Sequence, residues 1–254
     1  MSLRKGMHVA LRLAIACSFT GLAGTFVADA AAVEPGEYLY VEGSHAHGVL
    51  LVKGGRFAID TIGGNCHTCS LTGTLKNNMG VASGDGETCR ISITGDRGTL
   101  KVNSGSADGC RSYCGARAMF DGEYRQPAAA CTDRLRTARL TQARAQYAKK
   151  NYAAAEAAFT SLIGECARDM DWIEVDRVRS DLALTQYHLG ERAKCLATLS
   201  QTTAMLNHDD RDKEGDPSFG LPPCDADNYQ STGKAILHNA TLCNAPIAAR
   251  GATN

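Results

Sequence analysis

The chain has 254 residues, of which 44% are hydrophobic, and its 27 basic and 27 acidic side chains give a formal net charge of zero. A nucleic-acid-binding protein generally needs a basic stripe that displaces the counterions of the phosphates. The charge balance therefore argues against a nucleic-acid partner. The length is sufficient for one large or two small hydrophobic cores.

The first segment of the chain, residues 1–30, has the pattern of an export signal. Three basic residues precede an apolar stretch, 13–27, that is rich in small residues, and Ala28-Asp29-Ala30 gives a small-x-small cleavage pattern. No later segment reaches the ~20 consecutive apolar residues of a membrane span. We therefore predict a cleaved signal peptide and a periplasmic or secreted protein with no stable membrane span.

The cysteines are the next feature, because 11 are present and only Cys17 falls within the signal. An even number of cysteines in an exported chain is typical of a disulfide framework, since that environment is oxidising. Each bridge can stabilise the fold by roughly 2–4 kcal/mol by restricting the unfolded chain. We predict that the ten remaining cysteines are disulfide-bonded: Cys66, Cys69, Cys89, Cys110, Cys114, Cys131, Cys166, Cys195, Cys224 and Cys243.

Residues 36–126 show the pattern of an all-β domain. Short runs rich in β-branched and aromatic residues are separated by turn signals, and apolar residues recur with a period of two, as at Ile91 and Ile93. Gly54 and Gly55 accept the positive φ that a two-residue hairpin turn requires. We predict a small antiparallel β meander that curls into a barrel or a sandwich.

In residues 132–206 the apolar residues recur with a helical period. The residue pattern of this segment also repeats after forty residues, for example Ala143 as Ala183. The segment "NYAAAEAAF" places Tyr152, Ala155 and Phe159 at its tyrosine, small and aromatic positions, and "LGERAKCLATL" is the second copy. These segments resemble the tetratricopeptide (TPR) family. A generic pair of helical hairpins is the alternative interpretation, and it predicts the same helix layout.

The TPR resemblance implies an array of helical hairpins whose concave surface binds a peptide. The first helix of each hairpin lines that surface. On it we place five candidate binding residues, namely Arg144, Gln146, Asn151, Arg179 and Gln186. After the hairpins we predict a polar loop over 207–228 and a final helix over 229–243 that caps the last apolar face. The predicted fold class is therefore α+β.

Disulfide connectivity cannot be read from the number of cysteines, but the two predicted parts suggest a division. Six cysteines lie within 66–131 and four follow, so no bridge between the β domain and the helices is needed beyond Cys131 reaching back. Cys166 lies on nearly the same helix face as Ala155, and that face points toward the next hairpin. We predict the pairs Cys166–Cys195 and Cys224–Cys243.

The C-x-x-C spacing of Cys66 and Cys69 allows three interpretations: a redox dithiol, part of a zinc site, or two disulfide cysteines. A redox dithiol needs a helix N-terminus that lowers the thiol pKa, and here a strand follows. A zinc site would add Cys110 and Cys114, whose spacing suits tetrahedral sulfur ligation. Because an oxidising compartment favours disulfides, we predict no metal and no cofactor.

The remaining motifs do not form a catalytic constellation. His45 and His47 share one face of a predicted strand, but two histidines are only part of a metal site. The acidic segment 209–216 lacks the final glutamate of a calcium loop. Ser231 and Lys234 match S-x-x-K without its companion motifs. We predict that the protein is not an enzyme.

Two further features of the second hairpin are interpreted as structural. Asp169, Asp171, Glu174 and Asp176 alternate with apolar and basic residues, which predicts an exposed helix face. Trp172 is predicted to pack between the hairpins as a core residue, and a platform for a ligand is the alternative.

The sequence thus predicts an exported, disulfide-stapled, non-enzymatic protein of the cell envelope that binds a protein or peptide. The alternative is an inhibitor or immunity protein that blocks a secreted, peptidoglycan-cleaving hydrolase. For that role the candidate segments of the β domain are the His45–His47 loop and the Asp108–Tyr113 loop. A third hypothesis is an enzyme that uses metal or thiols at Cys66 and Cys69.

Overall fold

The computed structural model describes most of the chain after the predicted signal. The described residues are 32–41, 47–64, 66–84, 87–96, 98–105, 108–207 and 215–244. The predicted signal peptide, His45 and most of the acidic segment 209–216 lie outside them. The described strands and helices belong to one compact unit.

Eight antiparallel strands form the N-terminal part of the fold. They are β1 (Gly36–Tyr40), β2 (His47–Lys53), β3 (Arg56–Ile62), β4 (Thr68–Lys76), β5 (Met79–Ser83), β6 (Thr88–Asp96), β7 (Thr99–Asn103) and β8 (Gly122–Arg125). Each strand pairs with the next, and β8 pairs with β1 through Leu39–Arg125 and Tyr40–Tyr124. The predicted antiparallel meander is confirmed, and it closes into a barrel.

The alternation of side chains along the strands builds the barrel core. Leu50, Ile59 and Ile93 are completely buried, whereas their sequence neighbours on the strands face outward. Gly54 and Gly55 have φ values of 58° and 72°, as the predicted turn between β2 and β3 requires. The local pattern of the sequence is therefore sufficient to specify the hairpins.

Six α-helices follow the barrel in the described part of the chain. They are α1 (Asp133–Ala148), α2 (Tyr152–Cys166), α3 (Trp172–His188), α4 (Arg192–Leu199), α5 (Thr203–Leu206) and α6 (Pro223–Asn244). Helices α1 and α2 pack together, as do α3 and α4, and α2 also packs on α3. Helix α6 packs against α3 and α4. The mixed α+β class is confirmed.

The two helix pairs share the same turn. Lys150 between α1 and α2 and Gly190 between α3 and α4 have φ values of 61° and 80°. The N–H groups of these residues donate to the carbonyl oxygens of Tyr147 and Tyr187, respectively. The recurrence seen in the sequence is therefore accompanied by a recurrence of backbone geometry. That the pairs form a TPR-like array stays a prediction.

Helix α6 begins earlier than the predicted final helix. It starts at Pro223, inside the segment 207–228 that we expected to be a loop. The carbonyl of Pro222 accepts from the N–H of Ala226, so Pro223 occupies the first helical position. Proline is favoured there because its missing N–H would have no partner within the helix.

The ten cysteines that follow the predicted signal form five disulfides, which confirms the predicted framework. The pairs are Cys66–Cys224, Cys69–Cys114, Cys89–Cys110, Cys131–Cys166 and Cys195–Cys243. The predicted pairs Cys166–Cys195 and Cys224–Cys243 are wrong.

The packing of α6 explains both errors. Its C-terminal end lies against α4, where Cys243 bonds Cys195, and its N-terminal end lies against the barrel, where Cys224 bonds Cys66. Cys166 instead bonds Cys131, directly before α1. The disulfide that joins the barrel to the helices is therefore Cys66–Cys224, contrary to the expectation that only Cys131 would reach back to the β domain.

Candidate functional site

A cleft of about 610 Å³ lies between the barrel and the helices, and we call it the barrel–helix cleft. Its volume falls within the ~300–1,000 Å³ that is usual for ligand sites. One wall comes from β1 and β2, and the other comes from the segment Ala167–Arg179, which contains the start of α3. Arg125 at the end of β8 and Arg136 of α1 also line the cleft.

The barrel wall of the cleft is an apolar strip. Leu39 of β1 lies opposite Val49 of β2 in the sheet register, and Val41 follows directly after β1. Val41 and Val49 are each 37% exposed, although both are large apolar residues. The barrel interior already contains Tyr38 and Tyr40, so the alternating residues of β1 remain on the outside. This strip can cover an apolar side chain of a ligand.

The helical wall is positioned by the N-cap of α3. The side chain of Asp171 accepts a hydrogen bond from the N–H of Glu174 at 2.8 Å, which satisfies one free donor of the first helical turn. Trp172, the single tryptophan of the chain, is the first residue of α3 and packs on Tyr229 with ring centroids 4.8 Å apart. It is half-buried and lines the cleft, so its fluorescence can report on a ligand.

Asp169 connects the helical wall to the barrel. Its carboxylate is buried and accepts hydrogen bonds from Arg125 at 2.9 Å and from the N–H of Ala128 at 3.0 Å. Arg125 also donates to the carbonyl of Arg168 at 2.7 Å. Within the described residues the buried Nε of Arg125 has no hydrogen-bond partner, so this guanidinium has unused hydrogen-bonding capacity.

Asp176 is a second buried carboxylate of the cleft. Its Oδ2 accepts hydrogen bonds from the hydroxyl of Tyr229 at 2.8 Å and from the N–H of Thr203 at 2.7 Å, and Arg179 lies 3.6 Å from Oδ1. Burial raises the pKa of Asp176, while these hydrogen bonds and Arg179 act in the opposite direction. Burial, followed by the charge of Asp176, raises the pKa of Tyr229.

Arg136 and Glu174 form a third charged pair beside these carboxylates. Their side chains approach to 3.4 Å, and Arg136 also donates to the carbonyl of Cys131 at 2.9 Å. Burial raises the pKa of Glu174, and the charge of Arg136 counteracts that shift. The cleft therefore contains charged groups of both signs that are already engaged with protein partners.

The barrel and the helical part are joined at two places. The disulfide Cys66–Cys224 joins the loop after β3 to the start of α6. The ion pair of Arg125 and Asp169 joins β8 to the segment before α3. One connection is covalent and the other involves a completely buried carboxylate, so both restrain the barrel relative to the helices.

Three of the sequence-predicted binding residues lie on or near α1. Arg144 pairs with Asp181 of α3 at 2.8 Å. The side-chain amide of Asn151 donates to the side-chain oxygen of Gln146 at 3.1 Å, so these two residues are brought together at the turn after α1. None of the three lines the barrel–helix cleft.

The other two predicted binding residues belong to α3. Arg179 lines the cleft and donates to the carbonyl of Gln201 at 3.1 Å. Gln186 is buried and bonds Glu156 and Thr198, so little of its surface is accessible to a ligand. Thus one of the five residues lies in the cleft, and the binding role of all five stays a prediction.

The prediction of an exposed acidic face around α3 is wrong for two of its four residues. Asp169 and Asp176 are buried, not part of an exposed helix face as predicted. The spacing of Asp171 and Glu174 is that of an N-terminal helix cap, and this signal could have placed the start of α3. No local signal could have shown that Arg125, which is distant in sequence, meets Asp169.

The cysteines of the C-x-x-C motif have separate partners. Cys66 bonds Cys224, Cys69 bonds Cys114, and Cys110 bonds Cys89, so the disulfide interpretation of all four proposed zinc ligands is confirmed. In the part of the chain that the structure describes, no three His, Cys, Asp or Glu side chains are grouped as metal ligands. Among the same residues, no helix is both long and apolar enough to cross a membrane.

A second cavity, of about 510 Å³, is lined mainly by the segment that precedes β8. Arg111, Arg117 and Met119 are among its lining residues, and Met119 is 60% exposed. The segment Asp108–Tyr113, predicted to be a loop, forms a short 3-10 helix beside this cavity. Its cysteine Cys110 and the following Cys114 are bonded to strands β6 and β4.

Comparison with known proteins finds no family model, no curated protein and no solved structure that matches this chain.

Proposed function

We propose that this is a disulfide-stabilised protein of the periplasm or the exterior, and that it binds a peptide segment of a partner protein in the barrel–helix cleft without catalysing a reaction. One observation carries the proposal. Two walls from different parts of the chain, one apolar and one charged, face each other, and a disulfide and a buried ion pair join the barrel to the helices. Preorganised walls lose little conformational entropy on binding, which favours affinity.

The chemistry of the walls supports a peptide as the ligand. Leu39, Val41 and Val49 provide a surface for an apolar side chain, and Trp172 lies on the opposite wall. Polar groups that fix the orientation of a ligand are usually few and convergent in such sites. The TPR resemblance of residues 132–206 is a further, independent reason to consider peptide binding.

The five disulfides support the predicted location outside the cytosol. Disulfides persist in oxidising compartments and are rare where thiols are kept reduced. Four of the five bridges lie within the barrel or within the helices, and the fifth joins them. The bridges therefore stabilise both parts of the fold and the connection between them.

The proposal is tested by selecting peptides from a displayed random library on the oxidised protein. Binding of the selected peptides is then measured through Trp172 fluorescence. Val49→Arg places a charge in the apolar wall and should abolish binding. Leu51→Arg is the matched control, because Leu51 is exposed on the same strand but does not line the cleft.

The proposal requires that the selected peptides lose binding with Val49→Arg and keep it with Leu51→Arg. A selection that yields no binder sensitive to Val49→Arg would contradict it. Far-ultraviolet circular dichroism of both variants verifies that the barrel is intact.

A specific observation also favours the second candidate function, inhibition of a peptidoglycan-cleaving hydrolase. The 3-10 helix Asp108–Tyr113 exposes Arg111 and Ser112, and two disulfides restrain it. Rigid exposed loops suit active-site inhibition because little entropy is lost on binding. The test is a lysozyme-type cell-wall hydrolysis assay with the protein added. Arg111→Glu should relieve inhibition, whereas Lys101→Glu, on the exposed side of β7, should not.

A further inference from the structure

We infer that the barrel–helix cleft selects acidic peptides, in which Asp or Glu side chains flank an apolar residue. This inference rests on the proposed function and specifies its ligand. It follows from the unequal exposure of the positive and negative groups that line the cleft.

The basic groups of the lining are accessible, and two of its carboxylates are not. The side chains of Arg168, Arg125 and Arg179 are 65%, 28% and 22% exposed. Those of Asp169 and Asp176 are 0% and 3% exposed. A ligand in the cleft therefore meets the guanidinium groups, while these two carboxylates lie beneath them.

The buried carboxylates help to hold the arginines in position. Asp169 accepts from Arg125 at 2.9 Å, and Asp176 lies 3.6 Å from Arg179, which also bonds Gln201. An arginine that is held in place before binding loses less side-chain entropy when it engages a ligand. Guanidinium groups match carboxylates particularly well because they can donate two parallel hydrogen bonds.

The two remaining carboxylates of the lining are accessible but engaged: Asp171 is exposed, and the side chain of Glu174 is 20% exposed. Glu174 pairs with the buried Arg136, and Asp171 caps α3. They leave a modest excess of accessible positive charge, not a basic stripe. Such a surface suits a peptide with a few carboxylates, and it disfavours a polyphosphate chain, which would meet both carboxylates along its length.

The apolar strip gives the second element of recognition. Leu39, Val41 and Val49 lie in the same cleft as the three arginines. A segment with acidic residues on either side of an apolar residue would satisfy both surfaces at once. The acidic residues of the peptide therefore determine which ligand is selected. The apolar contact strengthens binding because it removes apolar surface from water.

The test uses two matched pools of short capped peptides, with random apolar residues at alternate positions. One pool has glutamate and the other glutamine at the positions between. Trp172 fluorescence of the oxidised full protein measures binding. We expect the glutamate pool to bind and the glutamine pool to bind at least about tenfold more weakly, because hydrogen bonds to charged groups are the stronger ones.

The variants Arg168→Gln and Arg179→Gln should each weaken binding of the glutamate pool by about tenfold. Arg177→Gln is the matched control, since Arg177 is exposed on α3 but does not line the cleft. Added salt should weaken binding of the glutamate pool. At each salt concentration, Arg177→Gln should bind this pool as tightly as the parent protein does. Arg168 is largely exposed, so its variant should fold even if Arg179→Gln does not.

Each other outcome overturns the inference in a recognisable way. Equal binding of both pools, abolished by Val49→Arg, overturns acidic selectivity and leaves the proposed function in place. Binding of neither pool overturns the inference, and the displayed-library selection then decides the proposed function separately. Tighter binding of a single-stranded DNA oligonucleotide, or a dimer that Val49→Arg dissociates in sedimentation, assigns the cleft to a different occupant.

Discussion

The hydroxyl of Tyr229 donates a hydrogen bond to the buried carboxylate of Asp176 at 2.8 Å, and this contact joins α6 to α3 beside the barrel–helix cleft. The same hydroxyl accepts from the N–H of Ala204 at 2.8 Å. One phenol therefore satisfies an acceptor and a donor that are both removed from water. The late helix α6 thereby supports the wall in which Trp172 and Arg179 lie.

Tyr229→Phe should destabilise the protein by about 1–3 kcal/mol, because it leaves a buried carboxylate oxygen and a buried N–H short of a partner. The free energy of unfolding from urea titration measures the effect. Tyr152→Phe is the control, since the Tyr152 hydroxyl makes no hydrogen bond to other described residues and its ring stacking on His188 is retained. Equal stability of the two variants would contradict the prediction.

The titration of Asp176 should contribute to the pH dependence of the free energy of unfolding. Burial raises its pKa in the folded state above the ordinary value of 3.8, so the folded protein holds this proton more firmly than the unfolded chain. Its contribution to the free energy of unfolding should therefore fall as the pH rises from about 3.8 through the raised folded-state pKa. In Asp176→Asn this fall should disappear.

Glu165 provides a control of opposite sign for that measurement. Hydrogen bonds from Ser161 and Arg139 lower the pKa of Glu165 below its ordinary value of 4.5. Its contribution to stability is therefore present above pH 4.5 and is lost as the pH falls through the folded-state pKa. For each variant, the difference from the parent protein in free energy of unfolding is plotted against pH. The curves for Asp176→Asn and Glu165→Gln should slope in opposite directions. Parallel curves would show that burial is not the dominant influence on the pKa of Asp176.

The ion pair between barrel and helices should be measurable by a double-mutant cycle. Arg125→Ala leaves the buried carboxylate of Asp169 with fewer partners and should cost about 2–4 kcal/mol of stability. Asp169→Ala in the same chain should recover part of this loss, because no uncompensated charge is then buried. Additive effects of the two substitutions would show that the pair contributes no coupling.

The disulfide Cys66–Cys224 should be the first to open under mild reduction by a small dithiol. Both of its cysteines are half-buried, whereas each of the other four bridges contains at least one cysteine that is 0–1% exposed. The N–H of Cys224, in the first turn of α6, also donates to the sulfur of Cys66, and a helix N-terminus stabilises a thiolate. Alkylation followed by mass spectrometry identifies the first thiols released.

Removal of the same bridge tests its effect on the cleft. The double variant Cys66→Ser/Cys224→Ser should lose about 2–4 kcal/mol of stability and bind the selected peptides more weakly, because the spacing of the walls is no longer covalently fixed. Cys195→Ser/Cys243→Ser is the matched control, since that bridge lies within the helices. Unchanged peptide binding in the first variant would show that the disulfide does not preorganise the cleft.

Local features of this protein were determined by the sequence alone. The positive φ of Gly54 and Gly55, the alternation at Ile91 and Ile93, and the repeated turn at Lys150 and Gly190 each depend on residues that are close in the chain. Such patterns specify strands, hairpins and helices, so the order of the β part and the helical part could be predicted. The oxidised state of the ten cysteines followed from their even number.

The tertiary structure alone decided which distant segments meet. Helix α6 brings Cys243 to Cys195 and Cys224 to Cys66, although sequence spacing favoured other pairs. Asp176 is covered by Tyr229 of α6 and by Thr203, which are distant from it in the chain. The barrel–helix cleft likewise combines strands, a buried ion pair and the start of α3 from separate parts of the chain. The physical reason is that periodicity specifies which face of an element is buried, whereas packing of whole elements specifies what covers that face.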